Sequence, residues 1–163
     1  MIKNIKKLFF DNNLNLCIEC GKCSSVCPLG EMFPDYSYDN SPRGIINKFL
    51  FDFLIMRENK PLEDKSIWYC ITCNVCKSQC PTDVNFPGFI SSLRSLLIEN
   101  DYDKFSIRCK RCGRFFISQF HLRYLKNKLN EDPAFEYCPN CRKKLFSLKV
   151  KENLPGRYRL TER

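Results

Sequence analysis

Two strings of four cysteines each constrain the fold of this chain more than any other feature. The first, CIECGKCSSVCP, occupies residues 17–28, and the second, CITCNVCKSQCP, occupies residues 70–81. Seven of their twelve positions are identical at an offset of 53 residues. The chain has 12 cysteines in 163 residues, well above ordinary globular usage. This excess indicates that bound cofactors replace part of the hydrophobic core.

A disulfide scaffold is the first alternative, because the number of cysteines is even. The N-terminal sequence MIKNIKKLFFDNNL has a basic start, but its apolar run, LFF, is too short for a secretory signal and no cleavage site follows. The longest apolar stretch, FLFDFLIM, is far shorter than the roughly 20 residues that span a bilayer. The sequence therefore predicts a chain without a transmembrane segment in the reducing cytoplasm.

The spacing of each string is C-x2-C-x2-C-x3-C-P. A 4Fe-4S cubane needs one thiolate for each iron, and a C-x2-C-x2-C loop can wrap three adjacent corners. In bacterial two-cluster ferredoxins with such runs, the fourth cysteine ligates the other cluster. The same crossed ligation is predicted here. The first 4Fe-4S centre would have the ligands Cys17, Cys20, Cys23 and Cys80, and the second would have Cys70, Cys73, Cys76 and Cys27.

Zinc is the main alternative metal for the two strings. It usually takes four ligands from two C-x2-C pairs, so a complete octet with ferredoxin spacing is an unusual way to bind it. The prolines that end the strings, Pro28 and Pro81, keep the preceding cysteine out of the α region and let the chain turn away. A purely structural multi-zinc protein would be colourless, which separates it from an iron-sulfur protein.

The rest of the first hundred residues has helical rather than strand periodicity. Ser41 can cap a helix that begins at Pro42. A second amphipathic helix begins near Pro87, and residues 2–12 are a candidate third. The predicted fold class is therefore mainly α, with the cysteine loops between helices. The apolar positions are Ile45, Ile46, Phe49, Leu50, Phe53 and Leu54 in the first helix and Phe89, Ile90, Leu93, Leu96 and Leu97 in the second.

The remaining four cysteines form two C-x2-C pairs separated by 25 residues. Two such pairs are typical of a tetrahedral metal site, and they predict a small zinc-ribbon-like module that is β-rich or mixed. A mononuclear iron, as in rubredoxin, is the alternative, although Arg142 stands where a rubredoxin would usually have glycine. The only histidine, His121, is spaced away from both pairs and is not a predicted ligand. The predicted zinc ligands are Cys109, Cys112, Cys138 and Cys141.

Composition divides the chain into three segments. Residues 1–100 are predicted to form the two-cluster ferredoxin domain, residues 105–148 the zinc-ribbon-like domain, and residues 149–163 a basic, extended tail. The first hundred residues have 11 basic and 11 acidic side chains, so the formal charge of +9 lies entirely in residues 101–163.

The cations that flank the ribbon cysteines have two interpretations. They could bind nucleic acid phosphates, or they could offset the thiolate charge and dock an acidic partner protein, and the second interpretation is favoured. These cations are Lys110, Arg111, Arg114, Arg142, Lys143 and Lys144.

Over residues 1–100 the chain resembles the C subunit of heterodisulfide reductase, an α-helical ferredoxin. The resemblance rests on the two cysteine strings, on the SPRG segment at residues 41–44, and on the short helical end after the second string. It implies electron relay between a flavin-containing subunit and a catalytic one with cysteine-rich CCG domains. This chain has no adjacent Cys-Cys pair, so it lacks the catalytic CCG motif.

The predicted function is that of an electron-transfer subunit in a cytoplasmic heterodisulfide-reductase-like complex, without catalytic activity of its own. Its predicted cofactors are two 4Fe-4S clusters and one zinc. The alternative is an iron-sulfur redox sensor that binds nucleic acid through the basic ribbon. Only the alternative predicts salt-sensitive nucleic acid binding that changes with cluster oxidation.

Overall fold

A computed structural model of the protein describes residues 2–129 and 132–153. The chain divides between Phe105 and Ser106 into two compact units. In the described residues the amino-terminal unit is helical, and the carboxy-terminal unit combines a two-stranded sheet with helices. The predicted fold class, mainly α with a small mixed cysteine-rich module, is confirmed.

Short helices joined by tight turns make up the amino-terminal unit. None of the helices in the described ranges is long and apolar enough to cross a membrane. The α-helices are α1 (Ile2–Asp11), α2 (Lys22–Ser25), α3 (Leu29–Met32), α4 (Pro42–Lys48), α5 (Lys60–Glu63), α6 (Val75–Ser78) and α7 (Phe86–Glu99). Turns of 3-10 helix occupy Leu14–Leu16, Tyr38–Asn40 and Lys65–Trp68, and a π-helix occupies Phe49–Ile55.

Helix α4 begins as the sequence predicts. The side chain of Ser41 caps it, because Oγ accepts a hydrogen bond from the backbone N–H of Gly44 at 3.2 Å. The second half of the predicted helix differs, since it is wound as a π-helix with a bond from the N–H of Met56 to the carbonyl of Phe51 at 2.9 Å. The wider turn still leaves Phe49 and Phe53 buried.

Aromatic rings join α1, the π-helix and α7 into one core. The Phe89 ring is fully buried and makes edge contacts with Phe9 at 6.2 Å and with Phe49 at 5.2 Å between centroids. At the end of α1, the carbonyl of Asn12 accepts a hydrogen bond from the N–H of Asn85 at 2.9 Å. These contacts fix the helix that follows the second cysteine string against the helix that precedes the first.

The carboxy-terminal unit begins with an antiparallel hairpin. Its strands, β1 (Ser106–Arg108) and β2 (Phe115–Ser118), pair with Ile107 opposite Ile117 and have a bulge next to this pair. Helix α8 (Gln119–Leu129) follows, and a 3-10 turn (Pro133–Glu136) leads into α9 (Pro139–Asn153).

The prediction of an extended tail is wrong for residues 149–153. These residues are the end of α9. Their sequence, KVKEN, contains no glycine or proline, and its lysines and glutamate favour helix, so nothing in it interrupts the helix. Residues 154–163 of the predicted tail lie outside the described residues.

We expect the substitution Gly44→Ala to destabilise the amino-terminal unit. An added Cβ would lie 2.2 Å from the carbonyl oxygen of Tyr38 and 2.8 Å from Cα of Asp39, so the backbone must shift. Overpacking of this kind costs about 1–3 kcal/mol, which corresponds to a fall in unfolding temperature of at least roughly 4 °C. Thermal unfolding followed by circular dichroism measures the change.

The matched control for this prediction is Gly30→Ala. Its added Cβ would meet only the Tyr36 ring, at an ordinary contact distance of 3.5 Å. Equal unfolding temperatures for the two variants would contradict the claim that Gly44 is fixed by close approach of the backbone.

Candidate metal centres

The two cysteine strings fold into loops with the same backbone conformation. In the first loop, Glu19 and Gly21 have positive φ angles of 55° and 79°. At the equivalent positions of the second loop, Thr72 and Asn74 have φ angles of 52° and 64°. Positive φ is costly for a β-branched residue such as threonine. The presence of positive φ angles at the same positions of both loops indicates that the backbone needs them to curl around the thiols.

The second half of each string forms a short helix, α2 in the first string and α6 in the second. Ser25 Oγ donates to the carbonyl of Lys22 at 2.9 Å, and 53 positions later Ser78 Oγ donates to the carbonyl of Val75 at 2.9 Å. Helices α2 and α6 contact each other. The two strings therefore meet in space, although 42 residues separate the last cysteine of one from the first cysteine of the other.

A first cavity lies between the first string and the end of the second. It encloses about 430 Å³ of space, including its open mouth. The N–H of Val84 donates to the sulfur of Cys80 at 3.3 Å, and Thr82 Oγ1 lies 3.5 Å from the same sulfur. The cysteines that line the cavity are Cys17, Cys20, Cys23, Cys76 and Cys80.

A second cavity lies between the second string and the end of the first, with about 370 Å³ of empty space when its open mouth is included. The N–H of Thr72 donates to the sulfur of Cys70 at 3.4 Å. Cys76 is part of the walls of both cavities, so the two cavities are neighbours. The cysteines that line the second cavity are Cys27, Cys70, Cys73 and Cys76.

The electrostatic neighbours of the Cys23 thiol follow the same grouping. Burial raises the pKa of this thiol, and the charges that raise it further belong to Cys17, Cys20 and Cys80. Burial also raises the pKa of the Cys76 thiol to about 12, and the charges that raise it further belong to three cysteines of the second cavity and to Cys23 of the first, as expected for a residue that lines both. Thiols so close together cannot all ionise in water-poor surroundings unless a cation lies between them.

The SPRG segment holds both cavities in place. Pro42 lines both, and Arg43 lines the first, where its guanidinium pairs with the carboxylate of Glu19 at 2.8 Å. Ser24 Oγ donates to Ser41 Oγ at 2.9 Å, which connects α2 of the first string to the cap of α4. The close packing of α4 that Gly44 permits therefore acts directly on the metal centres.

The donor set of the cavities fits iron-sulfur clusters. Each cavity is lined by the three cysteines of a C-x2-C-x2-C loop and by the last cysteine of the other string, with Cys76 also lining the first, and N–H groups donate to sulfur in both. When bound, a 4Fe-4S cluster supplies one-electron redox chemistry at a potential set by such hydrogen bonds, by net charge and by exposure. The cysteine side chains would hold the clusters, and the residues around them would set the hydrogen bonds, the net charge and the exposure.

The last four cysteines meet around a single point in the carboxy-terminal unit. The sulfur atoms of Cys109, Cys112, Cys138 and Cys141 all lie within 4.8 Å of one another. The first pair is the turn between β1 and β2, where Gly113 has φ of 70° and donates to the carbonyl of Cys109 at 2.9 Å. The second pair begins α9. His121 lies on α8 and is not part of this cluster.

Hydrogen bonds to sulfur in this cluster favour the thiolate form of cysteine. The N–H of Cys138 donates to the sulfur of Cys109 at 3.3 Å. Burial acts to raise the pKa of the Cys109 thiol, but N–H groups of Cys138, Cys112 and Arg111 outweigh it and lower that pKa to about 6. Burial and then the neighbouring thiols raise the pKa of Cys141 to about 12. A cation bound between the four sulfurs would stabilise all four thiolates, including the one whose pKa is raised.

Comparison with known proteins identifies the class of the amino-terminal unit. Residues 13–84 match the family described as the 4Fe-4S dicluster domain. The match covers both cysteine strings and the helices between them. The amino-terminal unit therefore contains a region similar to the 4Fe-4S dicluster domain, which supports iron-sulfur clusters as its cofactors.

Curated relatives make the resemblance more specific. The chain is 34% identical over 109 residues to the C subunit of the ferredoxin:CoB-CoM heterodisulfide reductase of Methanosarcina acetivorans, covering 67% of this chain and 38% of the relative. It is 31% identical over 84 residues to the iron-sulfur C subunit 2 of the CoB-CoM heterodisulfide reductase of Methanocaldococcus jannaschii, covering 52% and 40%. The predicted resemblance to the C subunit of heterodisulfide reductase is confirmed.

The same region is shared with a protein named for a different reaction. The glycolate oxidase iron-sulfur subunit of Escherichia coli is 26% identical over 98 residues, covering 60% of this chain and 23% of the relative. The chain spans about two fifths or less of the length of these curated relatives. The similarity therefore concerns the cluster-binding region.

Sequence reasoning missed two residues beside the second cavity, Tyr36 and Arg94. Arg94 had a signal in the sequence, because it lies between Leu93 and Leu97 on the predicted apolar face of α7, where a solvated arginine is not expected. Tyr36 lies in an irregular segment, so periodicity could not assign its environment.

Backbone conformation rather than space is expected to decide which residues position 21 accepts. The nearest atom to an added Cβ at Gly21 is Arg43 Nη1, at 3.8 Å. Because Asn74 has the equivalent left-handed conformation, we expect Gly21→Asn to retain iron and sulfide near the wild-type content. Gly21→Val should lose more than half of both, since β-branched residues resist this conformation by about 1–3 kcal/mol.

Iron and sulfide assays after anaerobic purification measure this difference. Asn74→Gly is the matched control in the second loop and should also retain both. Full cluster content in Gly21→Val would contradict the claim that the left-handed residue shapes the loop.

Proposed function

We propose that this chain is an electron-transfer subunit that holds two 4Fe-4S centres. The observation that carries the proposal is the division of eight cysteines between two neighbouring cavities. Cys80 completes the first cavity and Cys27 completes the second. With Cys76, which lines both, assigned to the second, each cavity receives three thiols from one string and one from the other. This arrangement agrees with the crossed ligation that the spacing predicts.

The closeness of the cavities supports relay rather than storage or structure. Cys76 and Pro42 line both of them, so two centres bound there would be separated by little more than one layer of side chains. Cys20 and Cys73 are exposed, which leaves each centre one ligand near the surface. Electrons could then enter beside one exposed cysteine and leave beside the other.

We further propose that the chain works in a hetero-oligomeric, heterodisulfide-reductase-like complex in the cytoplasm. The partners would be a flavin-containing subunit and a catalytic one with CCG domains. The names of the relatives support assembly, since they are called subunits of such reductases. The absence of any Cys-Cys pair from the sequence supports a relay role without catalysis by this chain.

Zinc is the proposed metal of the carboxy-terminal unit. A tetrahedral site with Zn–S bonds of about 2.3 Å places its sulfurs about 3.8 Å apart, and the sulfurs of Cys112 and Cys138 lie 3.7 Å apart. Zinc has no redox chemistry, so this unit would serve structure and docking. Its cationic residues beside the cysteines, Arg111 and Lys143 among them, suit an acidic partner surface.

Metal content tests the cofactor assignment. Anaerobically purified protein should contain about eight iron, about eight acid-labile sulfide and about one zinc per chain. Elemental analysis and a sulfide assay measure these quantities. About nine iron without zinc would instead favour a mononuclear iron in the carboxy-terminal unit, and zinc alone would refute the relay.

Paired substitutions test the crossed ligation. Under this arrangement Cys27→Ala and Cys73→Ala damage the same centre, so the double variant should keep about four iron per chain. Cys27→Ala combined with Cys20→Ala damages both centres and should keep almost none. Iron analysis of the anaerobic proteins compares the two double variants. If each string held its own cluster, the two results would be exchanged.

A further inference from the structure

Arg94 is a buried cation beside the second cavity. Its side chain is only 8% exposed, on the core face of α7. The guanidinium donates to the carbonyl of Ile67 through Nε at 3.0 Å and through Nη2 at 2.5 Å, and Nη2 also donates to the carbonyl of Cys70 at 2.7 Å. Arg94 therefore binds the backbone at the point where the chain enters the second cysteine loop.

No carboxylate pairs with Arg94 in the part of the chain that the structure describes. Burial lowers the pKa of its guanidinium to about 10, and the Cys70 thiol is the group whose charge opposes this. Carbonyl groups satisfy hydrogen bonds but do not neutralise a charge, and an uncompensated buried charge is costly. The Trp68 ring, whose centroid lies 5.7 Å from the guanidinium carbon, attracts the cation but has no net negative charge. Full compensation of the Arg94 charge therefore requires negative charge on the cysteine side.

Tyr36 has a second unsatisfied group, a hydroxyl close to the Cys27 thiol. Its hydroxyl oxygen is buried and has no hydrogen-bond partner of good geometry among the described residues. Burial raises the pKa of this hydroxyl, and next in effect is its interaction with the Cys27 thiol. An O–H group in this position needs an acceptor, and a thiolate at Cys27 is a stronger acceptor than a thiol.

We propose that Arg94 and Tyr36 set the reduction potential of the second centre, Arg94 as its buried counter-cation and Tyr36 as an O–H donor to the sulfur of Cys27. The inference rests on the proposed function, because it requires a cluster held by Cys27, Cys70, Cys73 and Cys76. It assigns roles to two residues that the cysteine pattern does not include.

The physical basis is the charge added on reduction. A low-potential one-electron donor gives one electron to the centre, whose total charge with its four thiolates changes from about −2 to about −3, and no bond breaks. A fixed cation and a fixed O–H donor stabilise the more negative state more strongly. Both residues should therefore raise the potential of the second centre.

The first cavity offers a contrasting cation. Arg43 lines it, but its guanidinium pairs with Glu19 at 2.8 Å and the two side chains are 27% and 46% exposed. This charge is already compensated and partly screened by solvent. Arg94 has neither a carboxylate partner among the described residues nor comparable exposure to solvent, so its effect on the potential of the neighbouring centre should be larger than that of Arg43.

The test is a redox titration of the anaerobic protein, followed by electron paramagnetic resonance with dithionite as reductant. In Arg94→Met, the reduced-to-oxidised ratio of one centre at a fixed potential should fall at least tenfold. A tenfold fall corresponds to a reduction potential that is lower by about 59 mV for a one-electron couple. Tyr36→Phe should lower the ratio of the same centre about threefold. The affected signal should be the one that Cys73→Ala removes.

Three control variants accompany these substitutions. Arg94→Lys keeps the charge and should recover most of the wild-type ratio, while Arg43→Met should change only the other signal. Tyr38→Phe removes a hydroxyl that lies elsewhere, 3.3 Å from the amide nitrogen of Asn47, and should change neither. Tyr36→Phe removes one atom and creates no cavity, so it remains informative if Arg94→Met does not fold.

The outcomes separate this inference from the proposed function. Wild-type protein without about eight iron per chain would refute the proposed function itself. With full iron and sulfide, an unchanged potential in Tyr36→Phe and, if that variant folds, in Arg94→Met would overturn the inference alone. It would also be overturned if Tyr36→Phe and Arg94→Met shifted different signals.

Discussion

The need to bring thiols from two distant strings to the same place governs the structure of the amino-terminal unit. Cys27 and Cys80 each lie at the end of one string and line the cavity of the other. Cys76 lines both cavities but can ligate only one metal centre, so two complete sets of four thiols require this exchange. Closing a loop between the strings costs conformational entropy, and a shared pair of metal centres is the interaction proposed to offset it.

Three sets of packing contacts support the exchange of Cys27 and Cys80 between the cavities. Helices α2 and α6 contact each other, the SPRG segment lies against both cavities, and α1 packs on α7 outside them. The elements themselves are short, four residues in α2 and in α6. Isolated helices of this length have no stability in water, so the order of the unit depends on tertiary contacts and on the proposed metal centres.

Much of this arrangement was predictable from the sequence, because it follows from local rules. Ser41 and Pro42 define a helix start, and the periodic apolar residues of α7 define a buried face. The cysteine spacing predicts the grouping of thiols in the cavities. The π-helical turn at Phe49–Ile55 and the left-handed Thr72 were not predictable, because tertiary packing and loop curvature override local preference there. The helical end at residues 149–153 was missed because a basic composition does not by itself separate a solvated helix from an extended tail.

The most direct measurement of the central claim is an iron anomalous difference map from anaerobically grown crystals. The account predicts two groups of four iron atoms, one bonded to Cys17, Cys20, Cys23 and Cys80 and the other to Cys70, Cys73, Cys76 and Cys27. A map in which Cys27 ligates the same cluster as Cys17, Cys20 and Cys23 would contradict it.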